Sequence, residues 1–285
     1  MKIAVTGVTG QLGGVLVRQL ISHGHEVISL NREHLNFLNF ANSKTYLDRL
    51  DPNLIINCAA FTHVDLAESN PDEAYAINAT GPIELAKYCK LRKIKLIHIS
   101  TDSIFSSRTP EMNPVSGRAN PLNVYAKSKL TGEIGILREH PEGSIITRTA
   151  WLFGQNSAKF VQAVISKGIK NRPFKVVDDQ FGQPTYAPSL AKFICFLLDS
   201  GVANGIFHFS SRDYLSRFEF SKEILALANL DPGLALPERT FRTVSPRYSL
   251  LDTSPESVNN YSNVPDWKTG LEEFFRDYYL PNDEE

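Results

Sequence analysis

Short apolar runs alternate with helical patterns along the first half of the chain. The apolar runs predict strands at residues 2–6, 26–30, 54–56, 96–99 and 144–148. Apolar residues three or four positions apart predict helices at residues 12–21, 72–90 and 124–138. Because the strands are continuously apolar, we expect helices on both faces of the sheet. The alternation predicts an α/β fold built on a doubly wound parallel sheet.

The second half of the chain follows this alternation less regularly. Strands are predicted at 174–177 and 206–209, and helices at 189–198, 217–228 and 269–279. Proline and charged residues concentrate between 229 and 265. We therefore predict a nucleotide-binding domain over residues 1–155 and a smaller mixed α/β C-terminal substrate lobe over residues 156–285. The boundary is soft, so that segments of the second half are free to rejoin the first domain.

The composition is that of an ordinary globular protein, with 42% hydrophobic and 21% charged residues. A formal net charge of -1 gives no basic field for nucleic acid. No apolar run approaches the roughly 20 residues that cross a membrane, and the histidines show no metal-ligand spacing. We expect neither nucleic acid, membrane nor metal as a partner, and a monomer or homodimer. Cys58, Cys89 and Cys195 lie far apart, which favours free thiols and a cytoplasmic location.

A glycine-rich loop follows the first strand. Gly7, Gly10 and Gly13 have the spacing G-x-x-G-x-x-G between that strand and a helix. Glycines allow the tight turn and the close approach of backbone to phosphate, and the helix N-terminus favours an anion. A turn without a ligand is the alternative, but the following strand–helix units favour a dinucleotide site. The predicted cofactor-binding residues of this loop are Gly7, Thr9, Gly10, Gln11, Leu12 and Gly13.

The second predicted strand ends in Asn31-Arg32, without the acidic residue that usually holds the adenosine ribose. An arginine at this place can pair with a 2′-phosphate, so the sequence predicts NADPH as the cofactor. A solvated surface arginine is the alternative, and Glu33 weakens the phosphate interpretation. NADH therefore stays open.

Tyr125 and Lys129 lie four positions apart on a predicted helix and share one face. A free tyrosine has a pKa of about 10, and a nearby ammonium is expected to lower the pKa of Tyr125. The pair would then form a general acid. Thr101 follows the fourth strand, at the sheet edge where ligands bind, and can orient a carbonyl group. Tyr-x-x-x-Lys alone is common by chance, but with Thr101 and the glycine loop it becomes specific.

These residues together resemble the extended short-chain dehydrogenase/reductase family, and within it the dTDP-4-dehydrorhamnose reductases. The similarity runs almost end to end, and its most specific segment is Val-Asp-Asp-Gln-Phe-Gly-Gln-Pro-Thr at residues 177–185. The resemblance implies a Rossmann-type fold and NAD(P)H-dependent reduction of the C4 keto group of a nucleotide-linked 6-deoxy sugar. The substrate implied is dTDP-4-dehydro-L-rhamnose.

The resemblance also implies roles for matching residues. Tyr125 would protonate the C4 oxygen, Lys129 would hold the ribose and tune Tyr125, and Thr101 would bind the carbonyl. Further cofactor-binding residues would be Cys58, Ala59, Ala60, Asn78 and Ser100, with Asn78 organising the backbone near the site. Substrate-binding residues would be Thr62, Val64, Asp102, Ser103 and Trp151.

Several positions depart from the pattern of this family. They are Val15 for an acidic residue used by some members in a magnesium-linked dimer, Ser103 for tyrosine, Ala158-Lys159 for Asn-Asn, and Ser245 for the arginine before Pro246. A 4,6-dehydratase would carry Thr-Asp-Glu, so Ser103 argues against dehydration, and a C4 epimerase lacks support from residues 179–185. Two alternatives stay open. One is a reductase of another nucleotide-linked 4-keto sugar, and the other is a non-catalytic NADP-binding regulatory subunit resembling that of methionine adenosyltransferase.

Overall fold

The structure is a computed structural model that describes residues 1–155, 159–239 and 245–279. The described strands are β1 (Lys2–Thr6), β2 (Glu26–Leu30), β3 (Leu54–Asn57), β4 (Lys95–Thr101), β5 (Ser144–Thr149), β6 (Leu152–Phe153), β7 (Phe174–Val177), β8 (Phe181–Gly182), β9 (Thr185–Tyr186), β10 (Gly205–His208), β11 (Leu215–Ser216) and β12 (Ala235–Glu238). The described α-helices are α1 (Gln11–Ser22), α2 (Phe40–Leu50), α3 (Val64–Ser69), α4 (Pro71–Tyr75), α5 (Gly81–Arg92), α6 (Val124–Glu139), α7 (Lys159–Ile169), α8 (Ala187–Asp199), α9 (Arg217–Leu227) and α10 (Trp267–Tyr278).

The central sheet has six strands in the order β10-β5-β4-β3-β1-β2, and every pair is parallel. This confirms the predicted Rossmann-type α/β fold. The chain runs from β1 outward to β2 and then crosses to β3 on the other side of β1. The order therefore reverses between β1 and β3, and ligands of such sheets bind at the carboxyl ends of the strands beside this reversal.

Side chains of the same strand enter two different cores. Ile3 and Val5 of β1 pack into the cluster that contains α1 and α8, whereas Ala4 packs into the cluster beneath α5. All three side chains are fully buried. This double burial explains the continuously apolar strands, because neither face of the sheet meets water.

The predicted helix at 72–90 is interrupted by a π-helical turn at Ala76–Thr80, between α4 and α5. Such turns widen a helix locally and often occur at functional sites. The sequence analysis did not predict α2, α3 or α7. Within the described residues, no helix has the length and apolar character needed to cross a membrane.

The second half of the chain has its own core, formed by β6, α7, α9 and α10 around Phe153, Phe220 and Phe274. One of its predicted strands, β10, instead extends the central sheet beside β5. The division of the chain at residue 155 stays a prediction. Among the family departures, Ala158 lies outside the described residues.

Candidate active site

A cavity of about 990 Å³ opens where the carboxyl ends of the central strands meet the second core. The predicted residues on its wall are Gly7, Thr9, Gly10, Gln11, Leu12, Gly13, Asn31, Arg32, Cys58, Ala59, Ala60, Thr62, Val64, Ser100, Thr101, Asp102, Tyr125, Lys129 and Trp151. Of the predicted site residues, Asn78 and Ser103 lie outside this wall. No cluster of three or more potential metal ligands occurs in the described part of the chain.

The backbone of the glycine loop lies close to the backbone of the segment after β3. Gly7 has a φ of +65°, and a Cβ on it would lie 2.8 Å from the backbone of Cys58 and Ala59. A Cβ on Gly13 would lie 2.3 Å from the Gly7 carbonyl oxygen. Gly10 caps α1 without a side-chain hydrogen bond, so the helix N-terminus faces the cavity through backbone N–H groups. This cradle fits the diphosphate of a dinucleotide.

The end of β2 presents a cation to the same cavity. The Asn31 side chain accepts hydrogen bonds from the backbone N–H groups of Glu33 and His34, at 3.0 and 3.2 Å. These bonds fix the turn in which Arg32 stands. Arg32 is exposed and has no ion pair with any described residue, so its guanidinium is available to a phosphate.

Asn78 acts on the backbone rather than on the cavity. Its Oδ1 accepts from the Phe61 N–H at 2.8 Å, and its Nδ2 donates to the Phe61 carbonyl and to Ser128 Oγ, both at 3.0 Å. The side chain therefore ties the segment after β3 to α6. The predicted organising role of Asn78 agrees with this geometry, whereas a direct cofactor contact does not.

The Thr101 hydroxyl and the Tyr125 phenol meet at the end of β4. Asn123 caps α6 by accepting from the Ala126 N–H at 2.8 Å, which starts the helix one residue before Tyr125. Burial raises the pKa of Tyr125 to about 12, while hydrogen bonding to Thr101 acts in the opposite direction. The expected lowering of the Tyr125 pKa by Lys129 is therefore not seen in this structure.

Lys129 is bonded to other residues and not to Tyr125, which explains why it does not lower the Tyr125 pKa. Its Nζ donates to the Ile99 carbonyl at 2.7 Å and lies 3.0 Å from His98 Nε2. Lys129 is 1% exposed, and burial lowers the pKa of Lys129 to about 8, against the opposing charge of Glu133.

The protons between Lys129 and β1 can be assigned from the hydrogen-bond network. The Ala59 N–H donates to Asn57 Oδ1 at 3.2 Å, and Thr6 Oγ1 donates to the same oxygen at 2.7 Å. Asn57 Nδ2 must then donate to His98 Nδ1, at 2.9 Å. Neutral His98 consequently carries its proton on Nε2, directed at Lys129 Nζ. This tautomer matches the neutral amine of Lys129, which predominates only above its lowered pKa of about 8.

Asp102 lies buried directly after Thr101. Thr101 Oγ1 donates to its Oδ1 at 3.0 Å, and Ser249 Oγ donates to its Oδ2 at 2.5 Å. Burial raises the pKa of Asp102, and these hydrogen bonds oppose that effect. Ser103 turns away from the cavity, with its Oγ 3.5 Å from Asp102 Oδ1. The predicted substrate contact of Ser103 therefore has no support from the cavity wall.

Trp151 stands in a left-handed backbone conformation, with a φ of 38°. Its ring lies flat against Gly182, where a Cβ would come within 2.2 Å of it. Next to this glycine, Gln183 is fully buried and bonds the backbone of Ser211 and Leu251. The segment at residues 177–185 thus positions the Trp151 ring and the strand-like stretch that carries Ser249.

The site residues that were not predicted from the sequence include Arg217, His98 and Ser249. Arg217 reaches the cavity from the start of α9, where an arginine gives no signal of a binding role. His98 was not among the predicted site residues. Its contact with Lys129 joins two elements far apart in sequence, so no local pattern could reveal it.

Comparisons with known proteins show which family this chain belongs to. The family model described as RmlD substrate binding domain matches residues 1–280. The chain is 32% identical over 275 residues to dTDP-4-keto-6-deoxy-D-glucose reductase of Streptomyces niveus, covering 95% of each chain. It is 33% identical over 279 residues to dTDP-4-dehydrorhamnose reductase of Mycobacterium tuberculosis, covering 95% of this chain and 91% of that protein.

A solved structure extends this likeness to the fold. The dTDP-4-dehydrorhamnose reductase of Bacillus anthracis, in complex with NADP, superposes with a TM-score of 0.91 at 34% identity. The match covers 97% of this chain and 99% of that one. The chain therefore belongs to the RmlD substrate binding domain family, within the extended short-chain dehydrogenases/reductases that its sequence resembles.

Proposed function

We propose that this protein is an NADPH-dependent reductase of the C4 keto group of a dTDP-linked 6-deoxy sugar, with dTDP-4-dehydro-L-rhamnose as the favoured substrate. The observation that carries the proposal is one cavity shared by the glycine loop and by Thr101, Tyr125 and Lys129. The names of the similar reductases, and the NADP held by one of them, point to the same chemistry.

The cofactor would lie along the carboxyl ends of β1 and β3. The glycine loop and the N-terminus of α1 would hold its diphosphate, and Arg32 would pair with the 2′-phosphate. Lys129 would reach the nicotinamide ribose after leaving the Ile99 carbonyl. Bound there, NADPH supplies the hydride that reduces C4 of the sugar.

Thr101 and Tyr125 act on the sugar oxygen at C4. Tyr125 can donate to this oxygen, and Thr101 can do so once its hydroxyl turns from Asp102 Oδ1, to which it donates in this structure; the two bonds would orient the ketone. Because burial raises the pKa of Tyr125 to about 12, the phenol remains protonated at neutral pH and can serve as a general acid. Its proton passes to the oxygen as negative charge develops there. Thr62, Val64 and Trp151 would contact the rest of the substrate.

We place this activity in the cytoplasm, carried out by a monomer or homodimer. Cys58, Cys89 and Cys195 are all free, and the last two are buried. Free thiols persist in a reducing compartment, where nucleotide sugars and NADPH would also have to be available to the enzyme.

The proposal is tested by a panel of dTDP-, UDP- and GDP-linked 4-keto-6-deoxy sugars, with NADPH oxidation followed by absorbance. We expect the highest kcat/KM with dTDP-4-dehydro-L-rhamnose. The matched control is Tyr125→Phe, which should bind NADPH normally and turn over far more slowly. Tight NADPH binding without turnover of any sugar would contradict the reductase and favour a non-catalytic binding subunit.

A further inference from the structure

Arg217, the first residue of α9, presents a cation to the substrate end of the cavity. Its Cζ lies 3.9 Å from the centre of the Trp151 ring and 4.9 Å from that of the Phe160 ring. Contact with aromatic faces holds the guanidinium plane and leaves the N–H groups on its edge free to bind a ligand. The helix does not depend on this side chain for its start, because Ser216 and Glu219 form a capping box.

The charge of Arg217 has no bonded partner. Within residues 1–155, 159–239 and 245–279, its guanidinium donates no hydrogen bond and forms no salt bridge. Burial lowers the pKa of Arg217 to about 10, and the carboxylate of Asp102 opposes this effect. The side chain thus stays cationic at neutral pH. No hydrogen bond or salt bridge joins Asp102 to Arg217, and the Asp102 oxygens accept from Thr101 and Ser249.

The other two cations that line the cavity lie elsewhere or are already hydrogen-bonded. Arg32 stands at the end of β2, on the glycine-loop side, and Lys129 is bonded to Ile99. A desolvated cation without a partner is unfavourable. A ligand oxyanion would supply the hydrogen bonds that the Arg217 guanidinium lacks among the described residues, beside the aromatic contacts that already stabilise the cation.

We propose that Arg217 binds an oxyanion of the substrate, meaning a phosphate or carboxylate whose two oxygens accept from its planar fork. The proposal rests on the proposed function for the identity of the occupant as a nucleotide-linked sugar. Such a molecule offers this chemistry from two sources, which are its diphosphate and a carboxylate on the sugar itself. A 6-deoxy sugar carries no charge, so with that substrate the diphosphate is the group bound.

The test measures dTDP affinity by titration calorimetry in the full-length protein with NADP bound. Wild type is compared with Arg217→Gln, Arg217→Lys and, as a matched control, Arg212→Gln on the exposed surface. Loss of a charge-assisted hydrogen bond should weaken dTDP binding roughly 10- to 100-fold in Arg217→Gln. Arg217→Lys, which keeps the charge but lacks the fork, should lose less, and Arg212→Gln should match wild type. If Arg217→Gln does not fold, the Lys variant supplies the comparison.

A second arm separates the two sources of the oxyanion. If wild type turns over a dTDP-linked 4-keto sugar with a C6 carboxylate faster than the 6-deoxy sugar, and Arg217→Gln reverses this order at unchanged dTDP affinity, the sugar carboxylate is the ligand. If neither dTDP affinity nor sugar preference changes in a variant with wild-type melting temperature and NADP affinity, the proposal is overturned. Arg217-dependent dTDP binding in a protein that reduces none of the sugars would contradict the proposed function alone.

Discussion

The cofactor end and the substrate end of the cavity are built in different ways. The cofactor end comes from one continuous stretch, Gly7 to Gly13, whose backbone approaches the segment after β3. The substrate end brings together Asp102, Trp151, Arg217 and Ser249, which lie on separate segments and are held by side-chain contacts. The first depends on local backbone conformation, whereas the second depends on contacts between distant parts of the chain.

Because of this difference, cofactor binding and substrate recognition can vary separately. A single side-chain change at the substrate end alters what the cavity recognises without disturbing the glycine loop. Thr101, Tyr125 and Lys129 stand between the two ends, so the proposed chemistry is common to every substrate that the cavity admits. The departure at Ser103 and the cation at Arg217 both belong to the variable end.

The largest effect is expected where the two ends meet, at Tyr125. Tyr125→Phe removes the proton donor and keeps the ring, so kcat should fall by about 10²- to 10⁴-fold. NADPH affinity should stay close to wild type. Steady-state kinetics and a direct NADPH titration check both halves of this expectation. Turnover close to wild type would remove Tyr125 from the mechanism.

Gly13→Ala should affect the cofactor end alone. Its Cβ would press on the Gly7 carbonyl oxygen at 2.3 Å, and overpacking of this kind costs about 1–3 kcal/mol. NADPH should bind roughly 10- to 100-fold more weakly, with dTDP affinity preserved. Gly10→Ala, whose Cβ would lie 3.1 Å from the same oxygen, should show a smaller loss. Equal NADPH affinities in both variants and wild type would contradict the close approach.

Ser249→Ala should affect the substrate end alone. It leaves one oxygen of buried Asp102 without its donor, at a cost of about 1–3 kcal/mol. We expect kcat/KM for the sugar to fall roughly tenfold while NADPH affinity is retained. Exposed Ser262→Ala is the control. A loss of NADPH affinity equal to the loss of kcat/KM would show that the two ends are not independent.

The pH profile should reveal the buried amine between the two ends. Lys129 is charged below its lowered pKa of about 8 and loses the charge as the pH rises through that value. Since kcat/KM reports ionisations of the free enzyme, it should fall about tenfold for each pH unit above 8. In Lys129→Arg, whose guanidinium stays protonated, the remaining activity should not show this fall. A wild-type profile that is flat to pH 10 would contradict the assignment.

The smallest effect is expected at Arg32. An exposed charge contact is worth about 0.2–1 kcal/mol, so Arg32→Ala should reduce the preference for NADPH over NADH roughly two- to fivefold. Titrations with both cofactors measure this preference, and Arg18→Ala, an exposed residue of α1 outside the cavity wall, serves as a surface control. Equal affinities for the two cofactors in wild type, unchanged in the variant, would refute the role of Arg32.

The strands of the central sheet could be predicted from the sequence, because they are buried on both faces and therefore consist of apolar runs. Sequence analysis missed α2, which carries many polar side chains, and α3, which has only six residues. It also missed α7, which follows the stretch after residue 155 where the strand–helix alternation weakens. β10 was predicted as a strand, but its place beside β5 depends on a crossover that no local pattern records.

The same contrast holds for the site. The glycine loop could be identified from spacing, because its conformation follows from consecutive residues. The pKa of Tyr125 could not be predicted from the sequence. It depends on burial, and Lys129 is bonded to Ile99 and His98 and not to Tyr125. Arg217 had no signal at all, because its role arises only when α9 packs beside Trp151.

In the proposed reaction, hydride reaches C4 of a nucleotide-linked sugar while Tyr125 supplies the proton. Its most direct test uses NADPH deuterated at the transferred position, with dTDP-4-dehydro-L-rhamnose as the acceptor and the product analysed by NMR and mass spectrometry. The account predicts one deuterium, at C4 only and in a single configuration, with almost none incorporated by Tyr125→Phe in the same time. Product without deuterium at C4, or wild-type incorporation by Tyr125→Phe, would contradict it.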